Sequence, residues 1–304
     1  MPDANSHSSP LLSTLERVQA CAGFDHRSTR KSWLELLGLT SKDYASVADG
    51  TRALSEKAIL QVADHFQIPP ESLMSGEIDF RRISVLWGRG DKDFSEAYST
   101  AAFGKRRTTI TSFDYIESRF GWRTRSELLA RFNLNEAVMN DFTAPINMQF
   151  MTDVALHLKR KHGLRPPDFF RMGAHSAIGN RYTMVGETLS SSRSLPEAYE
   201  VLMGGLIRLF EQNTRYSLTD LDLSGCTVEV SSYSYVAQAL RVKHLGNESI
   251  CDLKAGFLAS IPLYLDQPVA RCLESSCVHR GDPVCRFHLE FSPVPSSGLS
   301  KRDH

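Results

Sequence analysis

The chain has little that would carry it to a membrane or out of the cell. No apolar run approaches the roughly 20 residues that span a bilayer. The opening MPDANSHSSPLLSTLERVQA lacks the basic start and long apolar stretch of a signal peptide. A cytoplasmic protein without membrane contact is therefore expected. Excess charge is missing as well: 35 Lys and Arg balance 35 Asp and Glu. No global field draws such a chain onto nucleic acid or lipid, although sequence-specific binding stays open. Catalytic signatures are absent too, with no HExxH, no phosphate-cradling glycine loop and no nucleophile–base arrangement, so no enzyme is expected. Cysteine is scarce until late. Cys21 stands alone before Cys226, Cys251, Cys272, Cys277 and Cys285, and in a cytoplasmic chain such a late cluster favours metal binding over disulfides.

What is present suits an ordinary globular protein of two domains: 304 residues, 41% hydrophobic and 23% charged. Residues 1–12 and 293–304 are polar and read as disordered tails. Residues 81–118 mix glycines, apolar residues and the basic cluster Lys105-Arg106-Arg107 without one period, and read as a linker. Residues 13–80 are helical in pattern. Ser55 is placed as an N-cap ahead of Ile59, Val62, Ala63 and Phe66 on one face, and Pro69-Pro70 closes that helix. Residues 119–292 mix both periods. Met151, Val154, Ala155 and Leu158 form a helical stripe, and Ser194 with Glu197 has capping-box spacing. The pair Gly204-Gly205 inside a helical pattern reads as a close-packing site. Strand alternation follows at Val228 and Val230, at Leu240 and Val242, and at Phe287, Leu289 and Phe291. Helices followed by sequential strands predict an α+β fold: an all-α N-terminal domain, then an α+β domain with an antiparallel sheet.

Between Trp33 and Gly76, one helix ends at Leu37, Gly38 supplies the turn, and Thr40 caps a second helix over Ser41–Ala48. Tyr44 and Val47 face the core of such a unit, leaving Ser41, Lys42, Asp43 and Ser46 outward, where a recognition helix reads bases. The turn Gly38-Leu39-Thr40, the later Asp49-Gly50 and the helix at Val62-Ala63 resemble the lambda-repressor-like (Xre-type) helix-turn-helix family. The resemblance implies binding to double-stranded DNA through Arg30, Ser41, Lys42, Asp43, Ser46 and Arg52. Residues 13–80 nevertheless carry seven Lys and Arg against ten Asp and Glu, a net of −3, which opposes approach to phosphate. An adaptor that docks on a protein partner is the alternative.

From Trp122 the segments Phe170 to Gly173 and Ser194 to Ala198, set within successive helix starts, resemble the ligand-binding region of AraC-type regulators. The end of the chain, with Cys251, Glu274-Ser275-Ser276-Cys277, a loop containing Gly281, and Cys285 before a strand, resembles the four-vinyl-reductase-type sensory domain. A closed set of four ligands drawn from thiolate, imidazole and carboxylate is structural for zinc. On softness Cys272 competes with Glu274 for the fourth position. The resemblance selects Glu274 and implies a structural Zn2+ on Cys251, Glu274, Cys277 and Cys285. His279 and His288 are further candidates, read as a loop residue and an outward strand residue. A pocket for a small hydrophobic or aromatic effector is expected among Phe170, His175, Tyr182, Phe210, Tyr216, Tyr235 and Tyr264. The combined expectation is a homodimeric one-component transcriptional regulator.

Overall fold

The computed structural model describes residues 10–24, 27–88 and 95–292; of the segments expected as tails, residues 1–9 and 293–304 lie outside the described residues, whereas residues 10–12 are helical. The chain divides into two compact units, Met1–Phe94 with Phe120–Asp141, and Ser95–Arg119 with Phe142–His304. The fold is mixed α and β with antiparallel sheets. No described helix is long and apolar enough to cross a membrane.

The first unit is helical. It comprises α1 (Pro10–Cys21), α2 (Arg27–Leu37), α3 (Ser41–Ala48), α4 (Glu56–Phe66), α5 (Pro70–Ser75) and α6 (Phe80–Trp87). Gly38 sits at φ +64, the left-handed turn that ends α2. Thr40 caps α3 with a reciprocal capping box, and the Ser55 hydroxyl accepts from the Ala58 N–H at the start of α4. The α4 helix ends at Phe66 with Gln67 left-handed, and Pro70 then opens α5 rather than merely closing α4. Trp33 and Phe66, ring centroids 6.3 Å apart, anchor a core shared with Leu15, Val18, Val62 and Leu73.

The segment expected as a linker is largely helical. It holds α6, α7 (Glu96–Ser99), a two-residue strand β1 (Gly104–Lys105) and α8 (Arg107–Phe120). The chain then re-enters the first unit through α9 (Trp122–Arg131) and α10 (Glu136–Met139), joined by Arg125 and Glu136 in a buried bidentate ion pair at 2.7 and 2.8 Å. The second unit resumes at β2 (Pro145–Ile146), which pairs with β1. The Asn147 amide donates to the carbonyls of Ala97 and Thr100 at 2.7 and 2.8 Å, tying α7 to the start of α11 (Met148–His162). These bonds hold α7 within the second unit.

There follow α12 (Pro166–Ala174), α13 (Ser176–Asn180), α14 (Met184–Ser190) and α15 (Leu195–Gly204), then β3 (Thr214–Thr219), β4 (Gly225–Ser232), α16 (Ser234–Ala239), α17 (Glu248–Ala259), β5 (Arg271–Ser276) and β6 (Cys285–Glu290). The four strands run antiparallel in the order β3-β4-β6-β5. Along β6, Cys285, Phe287 and Leu289 are buried while Arg286, His288 and Glu290 face out, as the alternation predicts. Leu240 and Val242 are not strand residues: they lie in the turn after α16, where a short apolar alternation satisfies either period.

The tightest contact in this unit is between α12 and α17. A Cβ on Gly173 would lie 1.8 Å from the Leu253 carbonyl oxygen, and one on Gly256 would lie 1.8 Å from that of Phe170. Gly204 and Gly205, expected as the close-packing pair, have nothing within 4 Å of a Cβ; they mark where α15 gives way to a 3-10 turn. Gly256→Ala is therefore expected to destabilise the second unit by at least about 1–3 kcal/mol. Gly204→Ala should be neutral or stabilising by up to about 1 kcal/mol. Urea denaturation followed by circular dichroism tests both.

Candidate functional site

Helices α8, α11, α12 and α17 and strand β3 of the second unit surround a cavity of about 110 Å3. Its wall is mostly apolar, with Met148, Met151, Met172, Val185, Ile207 and Phe257 among the lining residues. Phe210, Tyr216 and Tyr264, named from the sequence, also line it. The others do not. Phe170 packs on the core, His175 is half-buried with its ring 5.8 Å from that of Tyr115, Tyr182 is 90% exposed, and Tyr235 stacks on Tyr233 at the surface. Aromatic identity alone does not distinguish these places, because Tyr serves equally well as core, pocket and surface residue.

The polar lining was not foreseen. Arg107, read as linker, donates from Nε and Nη2 to the Asn180 Oδ1 at 3.2 and 3.1 Å. Glu211 is buried, and its Oε1 accepts from the Asn213 N–H at 2.6 Å. Burial pushes the Glu211 carboxyl up, against the pull of Lys254 and the Asn213 N–H. Lys254 is 9% exposed and makes no hydrogen bond or ion pair with any described residue. Burial opposes its charge, but Tyr216, Cys251 and Glu211 around it leave the ammonium favoured on balance. The Ser176 hydroxyl is likewise buried without a partner. One signal for Lys254 was available: it is the single cation in the apolar stretch SICDLKAGFLA.

A second cluster lies where α17 meets the sheet. One ligand atom each from Cys251, Glu274, Cys277 and Cys285 lies within 4.8 Å of all the others. The Cys251 sulfur is 3.6 Å from those of both Cys285 and Cys277. That is too long for a disulfide at about 2.05 Å. It is close to the roughly 3.8 Å edge of a tetrahedron with metal–sulfur bonds of about 2.3 Å. Glu274 Oε2 pairs with Arg280 at 3.0 Å, while its Oε1 is buried with no partner. The loop is held by the Cys277 N–H donating to Asp282 at 2.7 Å and by Gly281 at φ +100. The Cys285 thiolate is favoured, its pKa lowered to about 6, by a hydrogen bond from Cys251, which the same bond pushes up. Cys272 packs at the edge of the core outside this group, and burial pushes it up to about 12. His288 bonds Thr227 at 3.0 Å and His279 packs near His244, so neither joins the cluster.

No family model matches the chain, and no curated protein matches it. Solved structures do. An H-NOX protein from S. oneidensis in the Fe(II)NO ligation state is 11% identical, covering 62% of this chain and 99% of its own, with a TM-score of 0.48. An oxygen-binding H-NOX domain related to soluble guanylate cyclases is 11% identical over 62% of this chain and 95% of its own, at 0.45. A structure on modulating heme redox potential through porphyrin distortion is 10% identical over 62% and 99%, also at 0.45.

These findings correct the expected family. The matching structures are H-NOX proteins, not lambda-repressor-like helix-turn-helix, AraC-type or four-vinyl-reductase-type ones. The DNA-binding, effector-responsive homodimeric regulator built on that resemblance falls with it, and the adaptor alternative gains no support. The assignment of zinc is corrected as well: the residues expected to hold it form a cluster of three thiols and one carboxylate, which does not itself name a metal.

The geometry of α3 supplies a physical reason on the DNA side. Asp43 Oδ2 accepts from the Thr40 N–H and hydroxyl at 3.2 and 2.6 Å, and its other oxygen pairs with Arg52. The Thr40 bonds, then Arg52, hold the Asp43 carboxyl below its usual range. Two of the six residues assigned to DNA thus neutralise each other, leaving Arg30, Ser41 and Lys42 exposed and Ser46 half-buried. Thr40→Ala is expected to cost the first unit about 1 kcal/mol by removing the cap. The fluorescence of Trp33, Trp87 and Trp122, all in this unit, reports that loss in a urea titration.

Proposed function

We propose that the second unit is a binding module for a compact organic ligand, which it holds in the cavity without transforming it. The cavity itself carries this reading. An apolar wall with a few convergent polar groups is the usual make-up of a ligand site. For scale, an engineered apolar cavity of about 150 Å3 takes up benzene. A cavity of about 110 Å3 therefore suits a ligand of about four or five non-hydrogen atoms.

Heme, named for one of the similar structures, does not fit these residues. Its iron is held by an axial His, Cys, Met or Tyr. Neither His nor Cys lines the cavity, and its three methionines stand without the His with which Met shares a heme iron. Burial pushes the phenols of Tyr216 and Tyr264 up, away from the phenolate that would ligate iron. A macrocycle of four pyrrole rings also exceeds a space smaller than one that takes a single benzene.

The proposal extends to the cysteine cluster, as a closed site in which Cys251, Glu274, Cys277 and Cys285 hold one thiophilic metal ion and clasp α17 to the β5–β6 hairpin. The sulfur spacing and the orphaned Glu274 Oε1 support it, because a buried carboxylate oxygen without a donor is costly unless a cation meets it. All six cysteines are free, which supports a reducing, cytoplasmic setting.

Two measurements test these readings. Ligand-observed NMR with a set of small organic compounds is expected to find binders for the wild type and none for Met151→Trp, whose added bulk enters the cavity; a wild type that binds no compound sinks the ligand site. Elemental analysis is expected to find about one thiophilic metal ion per chain, lost when Cys277 and Cys285 both become Ser. Metal-free wild type that stays folded and takes up no ion would overturn the clasp.

A further inference from the structure

The cavity is not merely apolar: its charges are unbalanced. Two cations, Arg107 and Lys254, line it against one carboxyl, Glu211. Arg107 spends its guanidinium on a neutral amide, that of Asn180. Glu211 turns one oxygen to its own chain at Asn213, and burial pushes it toward the neutral form. Lys254 is left with no hydrogen bond or ion pair to any described residue, although nine-tenths of it is buried. A buried ammonium with no partner is a costly thing to keep in a fold. The Ser176 hydroxyl, also lining the cavity, is a second buried polar group without a partner.

Resting on the reading of this cavity as a ligand site, we infer that the ligand is a small aliphatic monocarboxylate, with Lys254 as its counter-ion and Ser176 as a hydroxyl donor to it. A carboxylate brings one negative charge and several acceptor positions, so it satisfies both orphaned groups at once. Inorganic phosphate or sulfate brings up to two charges to one unpaired ammonium and offers no match to the methionine-rich wall. A neutral ligand of the same size leaves the ammonium unpaired. The short apolar tail packs on Met148, Met151, Met172 and Phe257, where methionine adapts to an irregular chain.

Propanoate and its uncharged isostere propanamide, titrated against the full chain at pH 7 by ligand-observed NMR or calorimetry, test this inference. Wild type is expected to bind propanoate at least about tenfold more tightly than propanamide, as for a charge-assisted bond worth about 1.5–3 kcal/mol. Lys254→Met, which keeps the length of the side chain and removes its charge, is expected to lose that preference while still binding propanamide. Circular dichroism checks that the variant is folded; if it is not, the wild-type comparison alone decides. Propanamide bound as tightly as propanoate overturns the carboxylate inference and leaves the ligand site standing. A folded Lys254→Met that retains the preference removes Lys254 from the role. Failure of both probes and of every compound in the wider set overturns the inference and the ligand site together.

Discussion

The second unit depends on two helices meeting backbone to backbone. At the crossing of α12 and α17, Gly173 and Gly256 bring each helix within contact of the other's carbonyls, closer than any side chain permits. No alternative residue gives this spacing, since even a methyl group would lie at 1.8 Å. The crossing sets where α17 lies, and α17 carries most of the chemistry in the unit.

On α17, Cys251 and Lys254 are three residues apart and so lie about 60° from each other around the helix axis. One contributes to the thiol cluster with β5 and β6, the other lines the cavity bounded by α8, α11 and α12. Gly256 faces the crossing. A helix that engages neighbours on every side has no solvent stripe, which is why its sequence is largely apolar after Glu248, with Asp252 and Lys254 as the charged exceptions. The cavity and the cluster are thus two readouts of one placement. A shift of α17 at Gly256 displaces both, and a ligand that pulls on Lys254 acts on the element that also holds Cys251.

The first unit shows what local signals do and do not convey. The ends of α2 and α3, the caps at Thr40 and Ser55 and the turn at Gly38 were all legible, because each is decided by residues within one turn of the chain. A DNA-reading role for the outward face of α3 was an inference from shape. Shape is shared by many helical units, and function rests on the groups a site presents. The pairing of Asp43 with Arg52 across nine residues was invisible in a pattern read one helix at a time.

By itself the sequence determined the helix boundaries with clear caps, the inward and outward faces of β6, the mixed α and β class and the four members of the thiol–carboxylate cluster. The first three follow from short-range periodicity and capping. The fourth came through the spacing of Cys251, Glu274, Cys277 and Cys285 and the resemblance that spacing suggested. Only the tertiary structure decided that residues 95–119 fold with the second unit, that Gly173 and Gly256 rather than Gly204 and Gly205 make the close contact, and that Arg107, Ser176, Glu211 and Lys254 line one cavity. The reason is physical. These features join residues up to about 150 positions apart in the chain, where neither propensity nor periodicity acts and only packing brings the groups together.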